Sequence, residues 1–289
     1  MQFRKRYVLL AILIVSILAF RNCRLLELRM SDKEITETLG TVPYPSHIVH
    51  DTILGQSIRY LKVGNDSLPK LICIHGSPSS LSAWRTIYTD SLFLKRFQVI
   101  SIDRPGYGYS GFGRVEGSLQ KQVAILQVVI DSVSKGKKAV LLGSSYGGPI
   151  AAQLAMNNPE KVSQLVLLSA SLKPGSEKTY WVSYAMINPV LKYLFPPTLV
   201  MSSEEKLDHE RQLESLNGWN KIESDVLIIH GNRDNLVYYD NALFARKKLV
   251  HARHMNLVTT NGKGHAIIFS SPDFIKKILM KYLDKDLSR

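Results

Sequence analysis

The chain has 289 residues, 45% of them hydrophobic and 21% charged, and it carries a formal net charge of +13. This length and apolar content suffice for one sizeable core, and the composition argues against a disordered chain. Two cysteines, Cys23 and Cys73, argue against a disulfide framework. The chain shows no zinc-ligand spacing, RNA-binding signature or long basic run, so we expect no nucleic-acid partner despite the positive charge.

The N-terminus differs from the rest of the chain. Basic residues at 4–6 precede an apolar stretch from Tyr7 to Phe20, and Arg21 and Arg24 follow it. This pattern predicts that segment 1–30 is a signal or a membrane anchor with a transmembrane helix, and it leaves cleavage open. The stretch is shorter than the ~20 residues of a typical spanning helix, so a buried core helix is the competing interpretation. We predict a protein that is membrane-associated through this segment, on a side left open, or exported.

From about Thr41 onward, short apolar runs alternate with amphipathic runs. The apolar runs predict buried strands and the amphipathic runs predict helices. The predicted strands are 57–63, 70–75, 97–103, 139–143, 162–170, 225–231 and 255–260. The predicted helices are 80–88, 117–133, 145–157 and one from about Pro272. Because most strands are apolar throughout, the pattern predicts an α/β fold with a mostly parallel central sheet flanked by helices.

One long segment, 173–223, interrupts this alternation. It is rich in aromatic residues and proline, and it is too long for a single crossover between strands. We therefore predict a helical cap at 173–223, inserted between a first core part at 41–172 and a second at 224–289. The aromatic rings of the cap predict an apolar pocket wall, although any one ring could instead pack the cap onto the core. The candidates for that wall are Trp181, Tyr184 and Phe195.

A glycine-rich turn, Gly-Ser-Ser-Tyr-Gly at 143–147, lies between a predicted strand and a predicted helix. Its glycines permit an abrupt turn that pushes a side chain out of the fold. Ser145 stands at the centre of the turn, at the start of a helix, where negative charge is favoured. The pattern therefore predicts that Ser145 is a nucleophile, against the alternative of an ordinary glycine-rich turn.

A serine nucleophile needs a base, and the base needs an acid. His265 lies in a glycine-flanked loop after the last predicted strand, where it can reach back over the sheet. Asp234 follows the strand at 225–231, whereas the loop after the strand at 162–170 offers no acid. We therefore predict His265 as the base and Asp234 as the acid that orients it.

Acyl transfer also requires donors for a developing oxyanion. The loop His-Gly-Ser-Pro at 75–78 follows a buried strand, and Pro78 has no N–H to give. We predict the backbone N–H of Ser77 as one donor and the backbone N–H of Tyr146, directly after the nucleophile, as the second.

Together these motifs resemble the α/β-hydrolase superfamily over roughly residues 45–283. The resemblance rests on five segments in order: HGSPSSLSAW, DRPGYGYS, GSSYGG, GNRD and GKGHA. It implies a capped hydrolase with the triad Ser145, Asp234 and His265, and with Ser77 and Tyr146 as oxyanion donors. Epoxide hydrolases and haloalkane dehalogenases of this superfamily use an aspartate nucleophile, so the serine at this position argues against both.

The leading functional hypothesis is a serine hydrolase that cleaves an ester or related acyl bond of a small, apolar substrate, without metal or cofactor. Two hypotheses from the same superfamily compete with it, namely a carbon–carbon bond hydrolase and a cofactor-free peroxidase-like enzyme. A third is a catalytically silent hydrolase fold used for binding.

Overall fold

A computed structural model describes residues 2–283 of the chain. Met1 and residues 284–289, the outer ends of the predicted segments 1–30 and 224–289, lie outside the described residues, as do the side chains of residues 2–4. The strands are β1 (Ser46–Ile53), β2 (Gln56–Val63), β3 (Lys70–Ile74), β4 (Gln98–Ile102), β5 (Ala139–Ser144), β6 (Val162–Leu168), β7 (Asp225–Gly231) and β8 (Met255–Thr260).

These strands form one sheet in the order β1-β2-β4-β3-β5-β6-β7-β8. β2 pairs antiparallel with both β1 and β4, and every other neighbouring pair is parallel. The central strands β3, β4 and β7 are buried along their whole length, because their apolar runs are covered on both faces of the sheet. The predicted fold class is confirmed. The carboxyl ends of β3, β5, β7 and β8 lie at one edge, so the loops that follow them meet there.

Helices cover both faces of the sheet. The helices of the described residues are α1 (Gln2–Arg21), α2 (Asp32–Leu39), α3 (Arg85–Tyr88), α4 (Ser91–Leu94), α5 (Leu119–Ser134), α6 (Gly147–Asn157), α7 (Trp181–Ile187), α8 (Pro197–Glu214), α9 (Asp240–Lys248), α10 (Ile267–Ser270) and α11 (Pro272–Leu283). One buried cluster packs α5, α6 and α9 against the sheet. A second packs α2, α3, α4 and α11 against the other face. The core is therefore a three-layer arrangement, as an all-apolar parallel sheet requires.

The edge strand β1 and several short helices, α9 among them, are absent from the sequence prediction. The strand β1 is largely exposed, so it lacks the continuous apolar run that marks the inner strands. The helix α9 has nine residues, of which Asn241, Ala242 and Ala245 are buried, so it shows no clear apolar face. The helix predicted at 80–88 is a 3₁₀ turn at Leu81–Trp84 that continues into α3.

The chain between β6 and β7 carries α7, α8 and two 3₁₀ turns, Leu191–Leu194 and Trp219–Lys221. These elements lie inside the predicted cap bounds of 173–223, and we call them the cap. The helix α8 has six buried residues, whereas α7 has none. The cap is therefore joined to the core mainly through α8.

The prediction of a membrane anchor at the N-terminus is wrong. Within residues 2–283, no helix combines the length and the apolar character needed to span a bilayer. The reason is visible in α1, whose apolar stretch at 7–20 falls short of the ~20 residues that a span requires and is bounded by basic residues on both sides. The transmembrane and signal interpretation of segment 1–30 is thereby corrected, together with the membrane-associated or exported localisation predicted from it. A buried core helix is not formed either, because the side chains of α1 from residue 5 onward are mostly exposed.

Candidate active site

Ser145 occupies a strained turn between β5 and α6. Its φ of 51° lies in the left-handed region, which residues with a side chain seldom adopt. The turn is held because the Ser145 N–H donates to the Leu168 carbonyl at 3.0 Å, while the Ser145 carbonyl accepts from the Gly148 N–H at 2.9 Å. A Cβ at Gly147 would lie only 2.3 Å from the carbonyl oxygen of Ile74, so the turn requires glycine there. The outcome is a hydroxyl that lines the cavities above the sheet edge.

The three predicted triad residues come together at this edge. His265 Nε2 lies 3.0 Å from Ser145 Oγ, and His265 Nδ1 lies 2.8 Å from Asp234 Oδ2. An ionised carboxylate can only accept hydrogen bonds, so Nδ1 carries a proton and Nε2 is the acceptor that faces the serine hydroxyl. This arrangement can withdraw the serine proton as the oxygen attacks a substrate.

The Asp234 carboxylate is buried and fully engaged. Its Oδ1 accepts from the backbone N–H groups of Leu236 and Val237, at 3.0 and 2.8 Å. Burial acts to raise the pKa of Asp234, but hydrogen bonds with His230 and His265 outweigh it and hold that pKa well below its usual value. The group is therefore a carboxylate at neutral pH, able to stabilise a positive charge on His265.

The predicted oxyanion donors, Ser77 and Tyr146, line one cavity together with Ser145. Across the described residues, neither backbone N–H donates to a protein acceptor. Two unengaged N–H groups beside a nucleophile are the arrangement that stabilises a tetrahedral oxyanion.

Gly76 is a residue of the site that the sequence reasoning passed over. A Cβ added to it would lie 2.8 Å from Ser145 Cβ and 3.4 Å from Ser145 Oγ. The loop after β3 therefore approaches the serine so closely that only glycine fits. The sequence does indicate that Gly76 lies near Ser145. Gly76 directly follows a predicted strand, and the carboxyl end of that strand meets the carboxyl end of β5.

Two cavities meet at Ser145. The larger, of about 310 Å³, lies beneath the cap. Its apolar cap wall is formed by Tyr180, Val182, Met186 and Leu199. The smaller, of about 190 Å³, lies on the His265 side, and Trp84 and Phe269 contribute to its wall. A substrate with groups on both sides of its reacting carbon can therefore be accommodated.

The structure does not bring Trp181, Tyr184 or Phe195 to the larger cavity. Trp181 and Tyr184 are 81% and 61% exposed, and Phe195 is half-buried with its carbonyl accepting from Arg21. The helix periodicity explains the difference, because α7 turns Val182 and Met186, four residues apart, toward the cavity. The ring at 181 then points outward, so aromatic content alone identified the cap but selected the wrong face.

One end of the larger cavity is polar. Glu177 and Lys206 form an ion pair there, and His209 lies 3.4 Å from the other oxygen of Glu177. Burial lowers the pKa of His209 to about 3, so the ring is neutral. It lies against the Tyr146 ring, with 4.5 Å between centroids, and its Nε2 bonds the Ser171 hydroxyl. The larger cavity therefore has an apolar wall along most of its length and polar side chains at one end.

The described part of the chain contains no group of three or more His, Cys, Asp or Glu side chains arranged to hold a metal ion.

A family model described as "alpha/beta hydrolase fold" matches residues 69–196. That range includes Ser77, Ser145 and Tyr146 and ends before Asp234 and His265. Among solved structures, a membrane phospholipase A described as a bacterial virulence factor superposes with a TM-score of 0.69 at 20% identity, covering 98% of each chain. Together with the sheet order described above, these matches show that the chain has an α/β-hydrolase fold.

Curated relatives match over shorter spans. The uncharacterized hydrolase YugF of Bacillus subtilis is 32% identical over 42% of this chain and 43% of its own. A pimeloyl-[acyl-carrier protein] methyl ester esterase of Vibrio campbellii is 31% identical over 39% and 41%. A 2-hydroxy-6-oxononadienedioate/2-hydroxy-6-oxononatrienedioate hydrolase of Burkholderia vietnamiensis is 30% identical over 48% of each. The chain thus spans less than half the length of these relatives.

Proposed function

We propose that this protein is a serine hydrolase that cleaves an ester or related acyl bond of a small, largely apolar substrate. The observation that carries the proposal is the position of His265, whose ring lies within hydrogen-bond distance of both Ser145 and Asp234. A match to an esterase over part of the chain supports the same class.

In the proposed reaction, His265 Nε2 takes the hydroxyl proton of Ser145 while Oγ bonds to the substrate carbonyl carbon. The carbonyl oxygen becomes an oxyanion that accepts from the N–H groups of Ser77 and Tyr146. His265 then gives its proton to the leaving oxygen as the carbon–oxygen bond breaks, which leaves an acyl group on Ser145. Water, deprotonated by His265, attacks this acyl-enzyme and releases the acid.

The two cavities suggest how such an ester lies. The leaving group has to receive a proton from His265, and His265 lines the smaller cavity but not the larger one. The leaving group then occupies the smaller cavity, and the acyl chain extends beneath the cap along Val182 and Met186. The polar end near Glu177 and Lys206 limits the apolar length available to the chain.

A carbon–carbon bond hydrolase is the second candidate, because one of the relatives matched over about half of the chain acts on a dienedioate carbon skeleton by its name. There His265 would protonate a carbon leaving group instead of an oxygen. Purified protein offered both p-nitrophenyl esters and a conjugated ring-fission diketone separates the two, since only one should turn over at a useful rate.

The nucleophile is tested by labelling with a fluorophosphonate, which phosphonylates an activated serine. Wild type should label and the Ser145→Ala variant should not. Ser144→Ala is the matched control, because Ser144 is the neighbouring serine and still belongs to β5, and it should still label. Labelling that persists in Ser145→Ala, or a folded wild type that neither labels nor hydrolyses esters, would contradict the proposal; the latter would favour a binding protein.

A further inference from the structure

An ion pair joins the core to the cap beside the candidate active site. Arg104 follows β4, Glu205 lies on α8, and both side chains are fully buried. The guanidinium donates to both carboxylate oxygens, at 2.7 and 3.1 Å, and Gln122 donates to one of them at 2.9 Å. Burial acts to raise the pKa of Glu205, but the positive charge of Arg104 outweighs it and lowers that pKa. Because desolvation offsets much of the attraction within a buried pair, its remaining contacts show what the pair does here.

The same guanidinium holds the loop after β3. Its Nε donates to the carbonyl of His75 at 2.9 Å, and its Nη2 donates to the carbonyl of Gly76 at 3.2 Å. The Arg104 backbone N–H donates to His75 Nε2 at 3.0 Å, so the imidazole proton is on Nδ1, which donates to the Gly76 carbonyl at 2.7 Å. Burial lowers the pKa of His75 and keeps this ring neutral. Two donors therefore fix the direction of a single carbonyl, that of Gly76.

The direction of the Gly76 carbonyl determines where the Ser77 N–H, the predicted oxyanion donor, points. The Gly76 carbonyl belongs to the same peptide unit as the Ser77 N–H, and this peptide is trans. In a planar trans peptide the C=O and the N–H point in opposite directions. Because Arg104 and His75 hold the carbonyl on the core side, the Ser77 N–H is turned away from them.

A second chain of bonds reaches Ser77 from the cap. The Tyr107 hydroxyl lies 2.8 Å from Glu205 Oε2 and 2.7 Å from Ser77 Oγ. The carboxylate can only accept, so the tyrosine donates to it and accepts from the Ser77 hydroxyl. Glu205 thus acts on Ser77 through Arg104 on the backbone and through Tyr107 on the side chain.

We propose that Arg104 is a positioning residue that aims the Ser77 N–H at the substrate oxyanion, and that Glu205 of the cap holds Arg104 in the required orientation. This inference rests on the proposed function. It makes the oxyanion hole depend on a docked cap, because the carboxylate that holds the guanidinium belongs to α8.

A purely structural role for the pair would show a different pattern of defects. If the pair only joined cap to core, its weakening would lower stability and loosen the acyl cavity, which raises KM. A misaimed oxyanion donor instead lowers kcat with little change in KM, because the lost bond is made in the transition state. A trifluoromethyl ketone, whose carbonyl adds Ser145 Oγ to give a bound oxyanion, should lose affinity to the same extent as kcat falls.

The test compares Arg104→Lys with Arg59→Lys, using p-nitrophenyl esters, the trifluoromethyl ketone and thermal unfolding. Lysine keeps the charge but cannot reproduce the fork that holds two carbonyls and a carboxylate. Arg59 is the matched control, since it is a fully buried arginine paired with Asp103 that makes no hydrogen bond to the loop at 75–77 among the described residues. We expect kcat to fall roughly 10²-fold in Arg104→Lys, as for loss of one oxyanion donor, and to be little changed in Arg59→Lys.

A variant that removes the charges of both Arg104 and Glu205 controls for a folding defect in Arg104→Lys. In the double variant Arg104→Met, Glu205→Leu, no buried charge is left unpaired, so folding should be retained, yet the Gly76 carbonyl loses its guanidinium donor. Loss of kcat and of ketone affinity in this variant, with KM little changed, supports the proposal. Normal kcat in folded Arg104→Lys, or an equal loss in Arg59→Lys, overturns it while the proposed function stands. A wild type that neither labels nor turns over overturns both.

Discussion

The core and the cap hold the residues around Ser145 in opposite ways. In the core, α6 directly follows the serine and nearly all of its residues are buried, from Gly147 to Met156. In the cap, α7 supplies part of the cavity wall yet has no buried residue at all. Since a packed element cannot shift without disturbing its neighbours, the reacting groups are held rigidly while the wall above them is free to vary. Under the proposed function, the difference predicts that the triad depends on the core, that substrate choice depends on the cap wall, and that the cap enters the chemistry only through Glu205.

The two regions also differ in what binds them together. The triad side of the site is fixed by backbone turns and by a buried carboxylate, that of Asp234, with four polar neighbours. The cap attaches through apolar side chains such as Leu213 and Trp219, which join the core cluster, and through the hydrogen bonds of Glu205 on α8. Substitutions in the triad should therefore lower kcat for every substrate. Substitutions in the cap wall should instead change the ratio of kcat/KM between substrates.

Asp234→Asn should lower kcat more than any other substitution that leaves Ser145 and His265 in place. An amide keeps the shape but can donate to His265 Nδ1, which favours the wrong imidazole tautomer, so kcat should fall by roughly 10⁴-fold. Asp240→Asn is the control, because Asp240 is an exposed residue whose ion pair among the described residues is with Lys173. Steady-state kinetics measure kcat for both variants, and thermal unfolding shows whether each variant is folded. A near-normal kcat in folded Asp234→Asn would mean that the acid lies elsewhere.

The sequence predicts the core side of this comparison far better than the cap side. Ser145, Asp234 and His265 follow strands whose apolar runs are unmistakable, and parallel strands deliver their loops to one edge. The cap has no such frame, because which face of α7 turns inward depends on how it packs against α8. Counting aromatic residues could not reveal that Val182 and Met186 face the cavity.

The sequence also fails to predict residues whose role depends on close approach or on burial. Gly76 is needed for its lack of a Cβ, and only the distance between two loops shows this. Arg104 stands in the segment DRPGYGYS with no neighbour in sequence that marks its role, and its partner Glu205 lies far along the chain in the cap. At the N-terminus the basic and apolar pattern predicts an anchor in spite of the short apolar stretch at 7–20, and within residues 2–283 no helix is long and apolar enough to span a bilayer.

A substitution at Gly76 should give the next largest effect. In Gly76→Ala the new methyl group would lie 2.8 Å from Ser145 Cβ, so either the serine or the loop with Ser77 has to move. A displacement approaching 1 Å in reacting groups costs on the order of 10²-fold in rate, and we expect kcat to fall by about that factor.

Gly117→Ala is the matched control for Gly76→Ala, because a Cβ at Gly117 meets no atom within 4 Å. Its kinetics should equal those of wild type. The rate of fluorophosphonate labelling gives an independent measure of whether Ser145 or the loop with Ser77 has moved. Equal rates for Gly76→Ala and Gly117→Ala would mean that the loop can yield at no cost to the site, and the rigid-core side of the comparison would fail.

The smallest effect concerns the cap wall, where Met186→Ala should alter preference and leave the chemistry intact. Removing the side chain enlarges the cavity beneath the cap, so the ratio of kcat/KM for a longer acyl chain to that for a shorter one should rise roughly tenfold, the lower end of what a methylene-sized difference is worth in an apolar pocket. The control is Trp181→Ala, since this ring is 81% exposed and does not line the cavity. A series of p-nitrophenyl esters that share one leaving group isolates the acyl side of the site. If Trp181→Ala shifts the preference and Met186→Ala does not, the inward face of α7 has been assigned wrongly, and the aromatic wall first predicted from the sequence becomes the better description.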